Sequence, residues 1–249
     1  MVRLGQHYLV DKRVIKRLVE YVMKYNPRVC LEVGVGKAAL TKYFINTHTY
    51  VVGVEIDSKH IKYMQDVQES AINIDLVLAD ALHPPAIIER IDVVYGSIPY
   101  EITSPLLRII VLEPPKRAAV LLLQREVANR LQAKAGEKRY GRLTILVQYR
   151  YKIYAKDVVK PTSFNPKPKV YSRIVVMERK STCESEDLIP KIEHVTRCLF
   201  SFKNKVLRRA LTECFPKCKV VLESMDTRRV RDLTLDEIVL IARKCINGE

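Results

Sequence analysis

The sequence predicts an α/β fold, a doubly wound seven-stranded sheet of Rossmann-like type followed by a small C-terminal helical domain. Short apolar runs alternate with stretches of helical periodicity, a pattern typical of parallel sheets covered by helices. From about Ser181 onward, amphipathic helix patterns replace the apolar runs. A length of 249 residues accommodates both parts, and we predict one domain over residues 1–180 and a second over 181–249.

The predicted elements follow in order along the chain. Charged and apolar pairs alternate at helical spacing over residues 11–25, with Asp11 as the N-cap. Buried runs predict strands at Val29–Val33, Tyr50–Ile56, Ile74–Leu78, Ile91–Tyr95, Arg117–Leu123, Leu146–Ala155 and Val170–Glu178. Periodicity predicts helices at Ala38–Asn46, Ser58–Glu69, Ser104–Leu112, Glu126–Lys134, Leu188–Cys198, Lys203–Cys214 and Leu235–Lys244.

The positive charge is concentrated in one segment. The net charge is +15, and residues 116–180 hold 17 basic and 4 acidic residues, a local excess of +13. Such an uneven surplus is typical of a surface that binds a polyanion, so we expect contact with RNA or DNA. No run of about 18 apolar residues predicts a membrane span, and residues 1–6 lack the apolar core of a signal peptide. We therefore expect a cytoplasmic protein.

The six cysteines are scattered along the chain. Cys214 and Cys218 have the spacing of one helical turn, but no second pair or nearby histidine completes a zinc site. We expect no metal, and cysteines that are reduced and half buried.

A glycine turn follows the first predicted strand. In Glu32-Val33-Gly34-Val35-Gly36 the two glycines permit a close backbone approach to a phosphate or a nucleoside. Glu55 follows about 20 residues later at the end of the second strand, where a carboxylate accepts hydrogen bonds from ribose hydroxyls. This pair fits a nicotinamide cofactor and S-adenosylmethionine equally well.

Two later strand ends favour S-adenosylmethionine. Asp80 follows the third strand, in a position to accept a hydrogen bond from an adenine amine. Ser97-Ile98-Pro99-Tyr100 follows the fourth strand and suits the methylation of a planar amine. The Ser97 hydroxyl and the Ile98 carbonyl offer acceptors to that amine, proline holds Ile98 extended, and the Tyr100 ring offers a stacking face. A nicotinamide dehydrogenase is the least favoured interpretation, because no catalytic acid is positioned beside the glycine turn.

With these residues, the chain resembles the rRNA adenine-N(6),N(6)-dimethyltransferase family of the KsgA type. The matching segments run almost from end to end. They are Gly5–Asp11, Glu32–Gly36 with Leu40-Thr41, Val54–Asp57, Ala79–Ala81, Gly96–Tyr100, Gln124–Leu131, Tyr140–Leu143, Phe164–Ser172, Phe200 with Leu207–Leu211, and Leu233–Glu237. Each motif alone is weak, whereas the whole set is very specific.

The resemblance implies an enzyme that dimethylates two adjacent adenines in a hairpin loop near the 3′ end of small-subunit rRNA. It implies S-adenosylmethionine held by Gln6, His7, Leu9, Gly34, Gly36, Glu55, Ile56, Asp80, Ala81 and Ser97. It implies a flipped adenine stacked on Tyr100 and Phe164. The phosphates of the rRNA are expected on the basic residues Arg125, Arg130, Lys134, Lys138, Arg139, Arg142, Lys167 and Lys169. Apart from the resemblance, we expect the protein to act as a monomer.

Two positions depart from the family pattern. Ala38 stands where the family usually has a third glycine, a modest change if this position is helical, and Ser97 stands where it usually has asparagine. The serine side chain is shorter than that of asparagine, so its hydroxyl reaches less far toward the adenine amine. This difference bears on the rate and on completion of the second methylation. Two alternatives therefore stay open: a large-subunit rRNA adenine methyltransferase, and a non-catalytic RNA-binding factor of ribosome assembly.

Overall fold

The computed structural model of the protein describes residues 6–181 and 188–246. Gly5 and Cys183 lie outside the described residues. The chain divides into two compact units, Met1–Ala128 with Lys152–Arg179, and Asn129–Tyr151 with Lys180–Glu249. The second unit thus includes Asn129–Tyr151, which the sequence predicted to belong to the first domain.

The strands and helices account for most of the described residues. The strands are β1 Tyr8–Leu9, β2 Val29–Val33, β3 Tyr50–Glu55, β4 Ile74–Leu78, β5 Val93–Ser97, β6 Ala118–Gln124, β7 Tyr151–Val159, β8 Phe164–Asn165 and β9 Ser172–Arg179. The α-helices are α1 Lys12–Met23, α2 Ile61–Gln68, α3 Thr103–Leu112, α4 Arg125–Leu131, α5 Arg142–Arg150, α6 Leu188–Leu199, α7 Leu207–Cys214 and α8 Leu235–Ile246.

The first unit is built on a seven-stranded sheet with the strand order β4-β3-β2-β5-β6-β9-β7. Strands β2 to β6 are parallel, and β9 runs antiparallel beside β6. Because β5 and β6 are buried at nearly every position, they have the continuous apolar sequences expected of strands covered on both faces. This confirms the predicted Rossmann-like sheet, and it adds a two-stranded sheet of β1 with β8 that the sequence did not indicate.

The predicted helix at Ala38–Asn46 is wrong. Ala38 has a φ of +58°, and only a short 3-10 helix forms at Thr41–Phe44. The chain leaves the glycine turn in the left-handed region, which an alanine occupies at a cost of roughly 1 kcal/mol. Ala38 is therefore not at a helical position, which was the condition for its replacement of the family glycine to be a modest change.

The predicted strand at Leu146–Ala155 is correct only in its second half. Residues up to Arg150 belong to α5, and β7 begins at Tyr151. The segment Thr144–Val147 is buried on all sides, so its apolar residues show no helical period. In the second unit α5 packs against α6 and α8, and this burial explains the misassignment.

Four cysteines of the second unit form disulfides, so the expectation of reduced thiols is wrong for them. Cys198 is bonded to Cys214 and Cys218 to Cys245, whereas Cys30 is a buried free thiol. The bonds close loops with sequence separations of 16 and 27 residues. They tie α6 to α7, and tie the segment after α7 to α8.

Reduction is expected to destabilise the second unit. Each disulfide stabilises a fold by about 2–4 kcal/mol because it restricts the unfolded chain. A thermal melt in the presence of a reductant should therefore show a lower Tm than a melt without it, and the Cys198→Ser/Cys214→Ser variant should show part of that loss. Equal melting temperatures with and without reductant would mean that the disulfides are absent in solution.

Candidate active site

The carboxyl ends of four parallel strands meet at one edge of the sheet and open onto a cavity of about 610 Å³. Parallel register places the ends of β2, β3, β4 and β5 side by side. All of the residues predicted to hold the cofactor or the reacting amine line this cavity: Gln6, His7, Leu9, Gly34, Gly36, Glu55, Ile56, Asp80, Ala81, Ser97, Ile98, Pro99, Tyr100 and Phe164.

The glycine turn after β2 is held by its neighbours. Gly34 and Gly36 have φ values of +76° and +55°, which a side chain would strain. The Gly34 N–H donates to the Val54 carbonyl at 2.9 Å, and the Gly36 N–H donates to Glu55 Oε2 at 2.7 Å. The turn is thereby fixed against the end of β3.

The Glu55 carboxylate is fixed and retains accepting capacity. Its Oε1 accepts hydrogen bonds from the N–H groups of Ile56 at 2.9 Å and Asp57 at 2.8 Å. Its Oε2 accepts only from Gly36 in the described part of the chain, so a lone pair remains for a hydroxyl. This arrangement fits the ribose of S-adenosylmethionine. Ile56 leaves 54% of its surface exposed beside it, enough to cover an adenine ring.

The Asp80 carboxylate makes two contacts within its own loop. Its Oδ1 accepts the Leu82 N–H at 2.9 Å and so caps the turn after β4. Its Oδ2 lies 3.5 Å from His83 Nδ1. The carboxylate therefore supports its own loop while it lines the cavity, and adenine recognition by Asp80 stays a prediction.

The corner after β5 lines the cavity with all four of its residues, Ser97 to Tyr100, and the roles predicted for its carbonyl and its ring stay predictions. The Ile98 N–H donates to the Leu122 carbonyl at 3.1 Å, which ties the corner to β6. Among the described residues, none donates a hydrogen bond to the Ile98 carbonyl oxygen. The Tyr100 hydroxyl lies 3.3 Å from the Ser172 hydroxyl, which fixes the ring. Ser172 lines the cavity as well, and no role was predicted for it.

Two segments that are far apart in the sequence, β1 and β8, pair with each other at the wall of the cavity. In the antiparallel pair of β1 with β8, Leu9 is opposite Phe164. His7 Nδ1 donates to the Pro166 carbonyl at 2.8 Å, and the His7 ring centroid lies 5.8 Å from that of Tyr100. Phe164 is only 4% exposed and packs in the core with Leu9, so it borders the cavity as part of a fixed wall. Its stacking on a target base stays a prediction.

Sequence reasoning assigned no role to Glu32, although it lines the cavity. This side chain is fully buried, and its Oε2 accepts hydrogen bonds from Tyr95 at 2.7 Å and Thr41 at 2.8 Å. Its Oε1 has no partner among the described residues. An unpaired buried carboxylate oxygen at the cavity wall fits the positive charges of S-adenosylmethionine. In the sequence, only the position of Glu32 at the start of the glycine motif could have indicated a role for this residue.

Affinity for S-adenosylmethionine is expected to rise with pH through neutrality. Burial, opposed by the two hydroxyl bonds and reinforced by the nearby Glu55 carboxylate, raises the pKa of Glu32 to about 7. Below that pH Glu32 is protonated and gives no charge attraction, whereas above it the carboxylate is ionised and favours a cationic ligand. Titration calorimetry should find binding about tenfold tighter at pH 8 than at pH 6. Glu32→Gln should flatten this dependence, and a wild-type affinity independent of pH would contradict the role.

The predicted RNA-binding residues are all exposed. In the first unit these are Arg125, Lys167 and Lys169, and the guanidinium of Arg125 stacks at 4.9 Å from the Tyr171 ring centroid. In the second unit they are Arg130, Lys134, Lys138, Arg139 and Arg142. None of these eight lines the cavity, so their contact with RNA stays a prediction.

Within residues 6–181 and 188–246 no helix is long and apolar enough to cross a membrane. Nor do three His, Cys, Asp or Glu side chains of this part of the chain come together as metal ligands.

The strand order and the cavity at its carboxyl edge define the class of the protein, a Rossmann-like methyltransferase that uses S-adenosylmethionine. A family model described as ribosomal RNA adenine dimethylase matches residues 2–244, and the chain belongs to that family. The resemblance found in the motifs is thereby confirmed.

Similar proteins agree with this assignment. The chain is 35% identical to the "Probable ribosomal RNA small subunit methyltransferase A" of Pyrobaculum aerophilum over 97% of both chains. It is 32% identical to the "Ribosomal RNA small subunit methyltransferase A" of Thermotoga maritima, over 97% of this chain and 84% of that protein. The crystal structure of a dimethyladenosine transferase from Plasmodium falciparum superimposes with a TM-score of 0.81 at 25% identity, covering 96% of this chain and 98% of that one. The 23S rRNA methyltransferase ErmE shares the fold, with a TM-score of 0.73 at 22% identity, over 96% of this chain and 100% of that one.

Proposed function

We propose that the protein transfers methyl groups from S-adenosylmethionine to the exocyclic amines of two adjacent adenines in the 3′-terminal hairpin loop of small-subunit rRNA, during ribosome biogenesis in the cytoplasm. The observation that carries the proposal is the Ser97–Tyr100 corner, because all four of its residues line the cavity and its aromatic ring is held by the contact with Ser172. The names of the relatives favour small-subunit rRNA over the large-subunit alternative.

S-adenosylmethionine, when bound, supplies an electrophilic methyl group next to a sulfonium. The Ser97 hydroxyl and the Ile98 carbonyl accept hydrogen bonds from the adenine amine and hold its lone pair toward that methyl group. Tyr100 stacks on the purine and fixes its distance. As the N–C bond forms and the C–S bond breaks, the amine proton passes to solvent, so no strong base in the cavity is required.

Mass spectrometry of small-subunit rRNA tests the proposal directly. Unmethylated rRNA, both free and in small-subunit particles, is incubated with the protein and S-adenosylmethionine and digested to nucleosides. We expect N6,N6-dimethyladenosine at two neighbouring loop positions, and no product on large-subunit rRNA. The ratio of monomethyl to dimethyl product reports whether Ser97 completes the second transfer. Binding of S-adenosylmethionine without methyl incorporation would favour the non-catalytic assembly factor.

RNA binding is expected to weaken steeply with salt. If about five of the exposed basic residues contact phosphates, affinity should fall about 100-fold between 50 and 200 mM monovalent salt, because bound counterions are released. Fluorescence anisotropy with a labelled hairpin of the 3′ end measures this slope. An RNA affinity that does not change with salt concentration would contradict the predicted phosphate contacts. Light scattering on the same samples tests whether the protein is a monomer, as we expect.

A further inference from the structure

A band of exposed cations covers the outer side of α1. Arg13, Lys16, Arg17 and Lys24 are exposed there, and the only exposed carboxylate between them, Glu20, is 3.2 Å from Arg17. The first turn of α1 contains no acidic residue. Arg13 is in the first turn, where a cation opposes the helix dipole, so the dipole does not select a cation at this position.

Strand β7 continues this band at the edge of the sheet. Lys152, Tyr154 and Lys156 occupy alternate positions and are exposed, so their side chains share one side of the strand. Lys156 Nζ lies 5.0 Å from the Tyr154 ring centroid and 6.0 Å from that of Tyr21 on α1. The Tyr21 hydroxyl donates to Asp157 at 2.7 Å, which joins the helix to the strand.

These residues form what we call the α1–β7 face: Arg13, Lys16, Arg17 and Tyr21 of α1, Lys24 at its C-cap, and Lys152, Tyr154 and Lys156 of β7. Six cations stand against Glu20 and Asp157, both already engaged, and against Asp11, whose Oδ1 lies 3.5 Å from Arg13 Nε. Among the described residues no carboxylate lies within ion-pair distance of the four lysines. The face also begins at the cavity, because Lys12, the first residue of α1, lines it.

We propose that the α1–β7 face binds single-stranded RNA that continues from the target loop, a proposal that rests on the proposed function. Phosphates would lie along the cations, and a base would stack on Tyr154, where Lys156 adds a charge beside the ring. The twelve residues of α1 span about 18 Å, the length of about five stacked nucleotides. Lysines on an edge strand also prevent strand pairing, but this does not explain the cations of α1 or the exposed Tyr154 ring.

Matched substitutions test the face. Lys156→Glu is compared with Lys62→Glu on α2, an exposed lysine away from the face that gives the same change in net charge. Tyr154→Ala is compared with Tyr63→Ala, because both rings are 39% exposed. Dissociation constants are measured by anisotropy, over a salt series, for the target hairpin alone and for the hairpin with a short single-stranded extension at either end.

We expect Lys156→Glu to weaken binding of an extended hairpin about tenfold and to reduce the salt slope by about one, with Lys156→Gln in between. Tyr154→Ala should weaken it about fivefold, and the two control variants less than twofold. All variants should bind the bare hairpin alike.

Equal affinities of Lys156→Glu and Lys62→Glu for the extended RNA would overturn the proposal. So would a loss of equal size on the bare hairpin, or a change in oligomeric state caused by Lys156→Glu, which would mark the face as an interface between copies. If the wild type methylates small-subunit rRNA and the face variants bind like the controls, only the face fails. If no methylation occurs, the proposed function fails whatever the face binds.

Discussion

Replacing Tyr100 with alanine is expected to lower methyl transfer about 100-fold while S-adenosylmethionine binds almost as before. Stacking of a base on an aromatic ring contributes about 1–3 kcal/mol, and a misplaced reacting atom costs further rate. We expect the cofactor to be held mainly through Glu55 and the glycine turn, which belong to β3 and to the segment after β2 and not to the corner. Single-turnover kinetics with saturating cofactor, beside calorimetry of cofactor binding, separates the two quantities.

Two conservative variants serve as controls for this prediction. Tyr100→Phe keeps the stacking face and loses only the hydrogen bond to Ser172, so it should retain most of the rate. Ser172→Ala removes the same bond from the other side and should match Tyr100→Phe, since both leave the ring less well fixed. A collapse of cofactor affinity in Tyr100→Ala, with the rate per bound cofactor unchanged, would show that the ring holds the cofactor and not the base.

The Gly96→Ala substitution is expected to destabilise the protein and abolish methyl transfer together. A Cβ at Gly96 would clash with the backbone carbonyl oxygen of Val33 on the neighbouring strand and would lie 3.2 Å from Ile98 Cδ1. A backbone atom cannot turn aside, so β2 and β5 must separate at the point where the cavity begins. Overpacking of this kind costs about 1–3 kcal/mol, and the displaced strand end carries Ser97 and Ile98.

Gly141→Ala is the matched control, because a Cβ at Gly141 would meet no atom within 4 Å. Urea unfolding should give a lower midpoint for Gly96→Ala and little change for Gly141→Ala. Activity is then compared at a temperature at which both variants are folded. If folded Gly96→Ala transfers methyl groups at the wild-type rate, the exact position of the β5 end does not matter to the reaction.

The sheet and the cavity were predictable because their signals are local. Strands β2 to β6 are short apolar runs, and at the ends of β2 to β5 stand residues whose chemistry fits a nucleoside or an amine. Parallel strands end at one edge, so Glu55, Asp80 and Ser97 had to lie close together once the sheet was assumed. The structure places these three residues around one cavity.

The remaining features depend on pairs of residues far apart in the chain. Nothing near Tyr100 indicates that Ser172 holds its hydroxyl, and nothing near Leu9 indicates that it pairs with Phe164. Helix α5 was mistaken for a strand because it is buried on all sides, and the disulfide partners cannot be read from spacing. The free Glu32 oxygen is equally invisible in sequence, because only the packing around it shows that one oxygen is left unpaired.

The pairing of β1 with β8 also sets an order of events during translation. The two strands are separated by more than 150 residues of sequence, since Tyr8 is opposite Asn165. A nascent chain therefore exposes the glycine turn and its carboxylates to solvent long before Phe164 has left the ribosomal exit tunnel. Until then this wall of the cavity is incomplete. Tight binding of the methyl donor therefore has to wait until β8 has been synthesised.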